Sequence, residues 1–368
     1  MGIEELTALS RFYGADTDYV IAGGGNSSFK DHGTLWIKGS GAALGEISPG
    51  DFVALDRAKL AELWKLAGTG TPEEREAAVL AGMMAARKPG EEAKRPSVET
   101  LLHDLLDFAY VFHTHPALVN GLACSQDGEG ALGDLFGSGV LWIPISDPGF
   151  VLALGVREKL EKQKRSGGKI PEIIFLQNHG VFVGAHETAG IRSLYDKIMN
   201  ILRKKIKRFP DFGNPLPPDA VPGAGRGLEV LQNLSGARVV FSRNNEIAAV
   251  VKTPAAFAPV SSAYTPDHIV YAGSNPLFIE KGSDIEDAWK AHIKKTGRPP
   301  KIAALEGVGV FGIGDTKKAA ALAAELFTDA VKIAVYAESF GGPRFMTDEK
   351  IAFINNWEAE QYRAALAR

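Results

Sequence analysis

Apolar and polar positions alternate along this chain in two rhythms. Residues 3–13 carry apolar side chains at helical spacing and predict an amphipathic helix ending before Gly14. Thr71-Pro72-Glu73-Glu74 is a capping box with proline at the first helical position, so a helix is expected from there to about Arg87. Ser97 can cap a second helix, with Glu99 in its first turn. The run Tyr110-Val111-Phe112-His113-Thr114-His115-Pro116 switches to the period of a β-strand. A strand and turn fill 140–154, a basic helix follows to about Arg165, and 173–184 reads as two buried strands broken at Asn178-His179-Gly180. A helix is expected from about Glu187 to Lys207.

Residues 208–227, dense in proline and glycine, read as a linker or long surface loop. Beyond them come apolar runs at Arg238–Ser242 and Ile247–Lys252, both expected as strands, and a long Ala-rich helix that closes the chain. The expected domains are therefore 1–207, a linker at 208–227 and 228–368. The second part holds an echo of the first: Ile302 to Gly312 repeats the apolar rhythm of Ile173 to Val183, including Gly-Val-Phe, with a helix after each. In that register Asn178 faces Gly307 and His179 faces Val308. Residues 228–368 are thus expected to be a degenerate relative of the first domain, without metal ligands.

Composition narrows the class. A chain of 368 residues is longer than one core usually serves. The 45% hydrophobic and 23% charged content is that of an ordinary globular protein, and a net charge of -3 gives no reason to expect nucleic acid or a membrane as partner. No apolar run approaches the roughly 18 residues of a membrane span, and the start has no signal-peptide core. The single cysteine, Cys124, excludes an internal disulfide and reads as a packed small residue of a cytoplasmic protein.

The chemistry gathers around 110–116. His113 and His115 lie two apart on a strand, so both imidazoles leave the same face while Thr114 points away. Two imidazoles so placed can share one metal ion, and a catalytic zinc wants three protein ligands and an open position. His179 is a core residue if taken alone and the natural third ligand beside a His-x-His pair. Glu99 is a dipole partner at a helix N-terminus on the bland reading; a helix folding back on the His strand makes it the nearby acid. His103, one turn on, reads as structural, as does His268. The stretches Gly23-Gly24-Gly25-Asn26-Ser27-Ser28 and Lys38-Gly39-Ser40-Gly41 are either turns between strands or backbone cradles for a phosphate.

Taken together, Gly25-Asn26, Ser40-Gly41, Ser97-x-Glu99, His113-x-His115 and Asn178-His179-Gly180 resemble the class II aldolase/adducin family, in order and spacing, over about residues 5–205. Arg95 to Thr100, Lys38 to Gly41 and the C-terminal part further resemble the aldolase portion of bifunctional rhamnulose-phosphate aldolase/lactaldehyde dehydrogenases. In those proteins a short-chain dehydrogenase domain follows; this sequence stops at Arg368, and no such domain is expected in it. The resemblance implies an α/β fold with a central, mainly antiparallel sheet flanked by helices. It implies one zinc ion on His113, His115 and His179, Glu99 as catalytic acid/base, and a sugar phosphate held by Asn26, Ser27, Lys38, Ser40, Gly41 and Ser97. It implies aldol cleavage of a ketose 1-phosphate in a cytoplasmic homo-oligomer, commonly a tetramer. An epimerase, a decarboxylase, a zinc hydrolase and a non-catalytic adducin-like module are the rival expectations.

Overall fold

The computed structural model describes residues 2–358. They form two compact units. The first runs to Val119 and resumes over Glu129–Lys204; the second takes Asn120–Gly128 and the chain from Lys205 onward. The Pro/Gly-rich stretch therefore lies inside the second unit, and Gly223, at φ +88°, starts the helix Ala224–Ser235 within it.

The first unit is built on strands β1 (Asn26–Lys30), β2 (Thr34–Lys38), β3 (Phe52–Asp56), β4 (Tyr110–Thr114), β5 (Val140–Ile143), β6 (Ile173–Leu176) and β7 (Gly180–Ala185). Their order is β3-β2-β1-β4-β7-β6-β5. All neighbours are antiparallel except β5 and β6. This is an α/β unit with a mainly antiparallel sheet. One face buries Leu35, Ile37, Val53, Val111 and Phe182 with Leu101, Phe150 and Val156 from helices. On the other face Phe112 meets Tyr13 of the helix Gly2–Gly14, and Thr114 Oγ1 lies 2.7 Å from Tyr195 Oη of the helix Thr188–Arg203.

Several local expectations hold. The Thr71/Glu74 capping box is formed and starts the helix Pro72–Ala85. Others shift, one for a tertiary reason and one for a local cap. The basic helix spans Phe150–Arg165 and begins earlier than its pattern suggests, because Glu76 Oε1 accepts from the N–H groups of Phe150 and Val151. A carboxylate from a remote helix supplies that cap. Residues 247–252 do not form a strand. Asn244 Oδ1 accepts from Ile247 N–H and caps the helix Asn245–Val250.

The second unit has β8 (Arg238–Ser242), β9 (Leu277–Ile279), β10 (Ile302–Leu305) and β11 (Gly309–Gly314), in the order β8-β11-β10-β9. Only β9–β10 is parallel. This repeats β4-β7-β6-β5 strand for strand. Thr114 pairs with Val181 as Ser242 pairs with Val310, and Ile173 with Val183 as Ile302 with Gly312. The turns agree too: Gln177 N–H donates to Ile143 C=O and Glu306 N–H to Ile279 C=O, both at 2.9 Å. Asn178 and Gly307 both sit at positive φ, 56° and 73°. Among the described residues no helix is long and apolar enough to cross a membrane.

Candidate active site

Side-chain alternation along β4 and into the residue after it sends His113 and His115 to one face, and Thr114 to the other, as the spacing predicts. His179 comes from the β6–β7 turn, where Asn178 takes the left-handed conformation that the reversal needs. Next to it, Gly180 is obligatory: a Cβ there would lie 2.4 Å from Thr114 O and 2.8 Å from His115 Cδ2. That close approach brings the three rings together. His113 Nε2 lies 2.9 Å from His115 Nε2 and 3.3 Å from His179 Nε2. A tetrahedral ion with bonds of about 2.05 Å spaces its nitrogens at roughly 3.3 Å. The ligand atoms all lie within 4.8 Å of one another. His113 Nδ1 lies 3.1 Å from Val181 O, which fixes its proton there and turns the Nε2 lone pair inward. The ring stacks on Phe182, 4.1 Å between centroids and 13° between planes.

Glu99 faces this cluster. The helix expected to contain it begins just beyond it, at Thr100–Leu105, with Glu99 as its N-cap residue. Ser97 turns the chain, its carbonyl accepting from Thr100 N–H and Oγ1. The Glu99 carboxylate is buried, with Oε2 3.5 Å from His113 Nε2 and Oε1 3.8 Å from His179 Nε2. Asn26, paired with His113 across β1–β4, donates its Nδ2 to Glu99 Oε2 at 2.7 Å and to Ser97 Oγ at 3.2 Å.

The remaining expected residues divide. Ser40 N–H donates to Arg95 O and Gly39 bridges Pro96, so the 39–41 loop lies beside Ser97. Gly41 has φ +92°. Lys38 Nζ donates to Ala42 O at 2.6 Å and Gly23 O at 3.4 Å, tying the two glycine-rich loops together. Ser27 is on the opposite face of β1, its Oγ 2.7 Å from Ser10 Oγ, so its hydroxyl does not face the histidines. His268 belongs to the second unit, between Thr265 Oγ1 and Asp329 Oδ2. Cys124 is buried and donates to Tyr264 O.

Sequence reasoning gave His103 no partner in this site. Its ring is fully buried and bonds Asn26 Oδ1 through Nε2 and Ser28 Oγ through Nδ1. The signal was present: His103 is four residues from Glu99 on one helix face, and Asn26 and Ser28 share one face of β1.

The model of the class II aldolase and adducin N-terminal domain matches residues 4–192, just over half of the 368-residue chain. The chain belongs to the class II aldolase and adducin family. A curated relative, described as the uncharacterized oxidoreductase YuxG of Bacillus subtilis (strain 168), is 24% identical over 419 aligned positions. That alignment takes in 100% of this chain, which spans 58% of the relative's length. Among solved structures, the N-terminal class II aldolase domain of a Thermoplasma acidophilum protein matches at 24% identity with TM-score 0.47, over 56% of this chain and 94% of that one. L-Fuculose-1-phosphate aldolase from Thermus thermophilus matches at 19% identity with TM-score 0.34, over 54% of this chain and 90% of that one.

In this class II aldolase family member the three imidazoles fit a metal ion: they converge through Nε2, one is oriented from behind, and two of the rings are buried. Nitrogen donors alone suit zinc, copper, nickel or iron rather than magnesium or calcium.

Proposed function

We propose that the first unit is a zinc-dependent aldolase, reversibly cleaving a ketose 1-phosphate of the rhamnulose 1-phosphate type into dihydroxyacetone phosphate and an aldehyde such as lactaldehyde. The reading rests on one observation above others. A buried carboxylate, Glu99, stands 3.5 Å and 3.8 Å from two imidazoles of a converging three-histidine cluster. His113, His115 and His179 would hold the zinc ion, which would supply Lewis acidity to the sugar. Glu99 is the proton carrier. In cleavage Glu99 takes the C4 hydroxyl proton as the C3–C4 bond breaks and the aldehyde forms, and then returns that proton to C3. In condensation Glu99 removes that proton. Asn26 holds Glu99 Oε2 through Nδ2, keeping the carboxylate turned to the cluster. The loop 39–41 and Ser97, brought side by side, offer the Gly41 N–H and the hydroxyls of Ser40 and Ser97 to the phosphate. In this reading Ser27 contributes its main chain only, and Lys38 shapes the loops.

The second unit is read as a degenerate aldolase-like repeat without metal ligands. Its support is the shared strand order and register, in which Phe241, Arg243 and Val308 take the places of His113, His115 and His179. The assembly is read as a cytoplasmic homo-oligomer, commonly a tetramer in this family, with small sugar phosphates as its partners.

The test is a coupled assay for dihydroxyacetone phosphate released from rhamnulose 1-phosphate and fuculose 1-phosphate, on protein of measured zinc content. Release is expected to vanish with chelator and return with zinc. Glu99→Gln is expected to keep about one zinc per chain and lose turnover on the order of 10³-fold. Full activity in that variant would overturn the role of Glu99. No triose phosphate from zinc-loaded protein, with inversion of a pentulose phosphate or loss of carbon dioxide from a related sugar acid when those are supplied instead, would make the enzyme an epimerase or a decarboxylase.

A further inference from the structure

We propose that His103 is a positioning residue that holds Glu99 in its working orientation by fixing the amide of Asn26. The proposal rests on the role given to Glu99 above.

The hydrogen-bond directions determine one another. The Glu99 carboxylate only accepts, so the Asn26 atom 2.7 Å from Oε2 must be the Nδ2 amide, which also reaches Ser97 Oγ. Asn26 Oδ1 then faces the other way, where His103 Nε2 is bonded to it. An amide oxygen accepts, so Nε2 carries the proton. In a neutral imidazole Nδ1 is then the acceptor, and Ser28 Oγ, 2.7 Å away, donates to it. Burial, with the nearby His113 and Lys30 adding to it, lowers the His103 pKa well below its ordinary value and keeps the ring neutral. Flipping the Asn26 amide would set its oxygen against a carboxylate oxygen and its NH₂ against the Nε2 proton. The chain Ser28–His103–Asn26–Glu99 thus has one consistent sense.

The fold holds His103 firmly enough to do this. Its N–H donates to Glu99 O at 3.0 Å, so His103 and the acid it orients share a helical turn. Lys30 Nζ donates to His103 O. Asn26, Ser28 and Lys30, alternate residues of β1, therefore all address this residue or its amide partner. The ring also meets Phe182 edge-on at 5.2 Å, and Phe182 stacks on His113. His103 thereby supports the acid and one metal-site imidazole from behind without touching substrate.

The experiment is a double-mutant cycle on the zinc-loaded full chain, with His103→Leu, His103→Gln, Asn26→Ala and the pair His103→Leu/Asn26→Ala. Glutamine can present an N–H donor to Asn26 and an acceptor to Ser28; leucine can do neither. His103→Leu is expected to keep one zinc per chain and lower kcat on the order of 10²-fold, the scale of an ångström's misplacement of a reacting group, with KM changed by less than about threefold. His103→Gln is expected to recover most of that kcat. The pair should be no slower than Asn26→Ala alone, because the effect passes through one amide. A His103→Leu enzyme with wild-type kcat, additive losses in the pair, or a glutamine variant as slow as leucine would each overturn the proposal. Should wild-type protein cleave no ketose phosphate, the aldolase reading fails by itself. The same cycle is then read in urea unfolding, where additivity of His103 and Asn26 would remove the orienting contact as well.

Discussion

In the first unit β4 carries His113 beside β7, with His115 one residue past its end; in the second, β8 carries Phe241 beside β11 in the same register, with Arg243 one residue past its end. What the two regions share is what the backbone requires. Gly180 and Gly309 stand at the same place, where a Cβ would strike Thr114 O at 2.4 Å in one unit and Phe241 Cε2 at 2.6 Å in the other. The turn before each keeps a residue suited to positive φ, Asn178 or Gly307. Phe182 and Phe311 also correspond, and each packs on the residue across from it: the imidazole of His113, or the ring of Phe241. What differs is the chemistry. Where the histidines face one another in the first unit, Arg243 sends its guanidinium to the carbonyls of Gly307 and Val308. A fixed cation tied to those carbonyls is the opposite of a cation site. The frame does not need the histidines, and the histidines converge only because of the frame.

The largest expected difference is at the paired positions His179 and Val308. His179→Ala should empty the metal site and lower turnover on the order of 10³-fold. Val308→Ala should leave zinc content and rate unchanged and cost about 1 kcal/mol of stability. Metal analysis and the aldol assay on both variants decide this; zinc retained in His179→Ala would undo the ligand set.

A stronger attempt on the comparison is to rebuild the missing site. If the registers correspond as the strand pairing indicates, Phe241→His/Arg243→His/Val308→His should bind a second equivalent of zinc. Calorimetric titration of protein already holding its first equivalent measures this, with circular dichroism to show that the variant is folded. A folded triple variant that takes up no further metal would mean that the side chains do not converge as the strands do. No second catalytic activity is expected, because among the described residues no strand pairs with β8 as β1 pairs with β4, and so nothing presents an equivalent of Asn26.

The smallest difference is at the glycines. Gly180→Ala and Gly309→Ala should each cost about 1–3 kcal/mol in urea unfolding, since both overpack a strand crossing. Only Gly180→Ala should also weaken zinc binding, by displacing His115. Equal zinc affinity in the two variants would separate the close approach from the metal site.

Much of this is legible in the amino-acid sequence alone. The His-x-His spacing on a β-prone run, the Asn-His-Gly break and the Thr71 capping box each express a local rule, so each survives folding as written. The echo at Ile302–Gly312 is legible for the same reason, since strand, turn and strand are contiguous there. The misses have different causes, and only the first is tertiary. The helix at Phe150 starts where Glu76 caps it, and 245–250 is helical because Asn244 closes its first turn although the pattern suits a strand. Ser27 reads as a neighbour of Asn26 in the site; pleating sends it to Ser10.

The sequence by itself determined the secondary-structure rhythm, the His113-x-His115 spacing, and the glycines and asparagine that the turns demand, because these depend on residues close together in the chain. Tertiary structure alone decided that Asn26 and Glu99, 73 residues apart, share a hydrogen bond, and that Asn26 and His103 share another across 77. Those pairings come from β1 lying beside β4 with a helix laid across them. A sheet's neighbours are chosen by global packing and register, which no local pattern encodes.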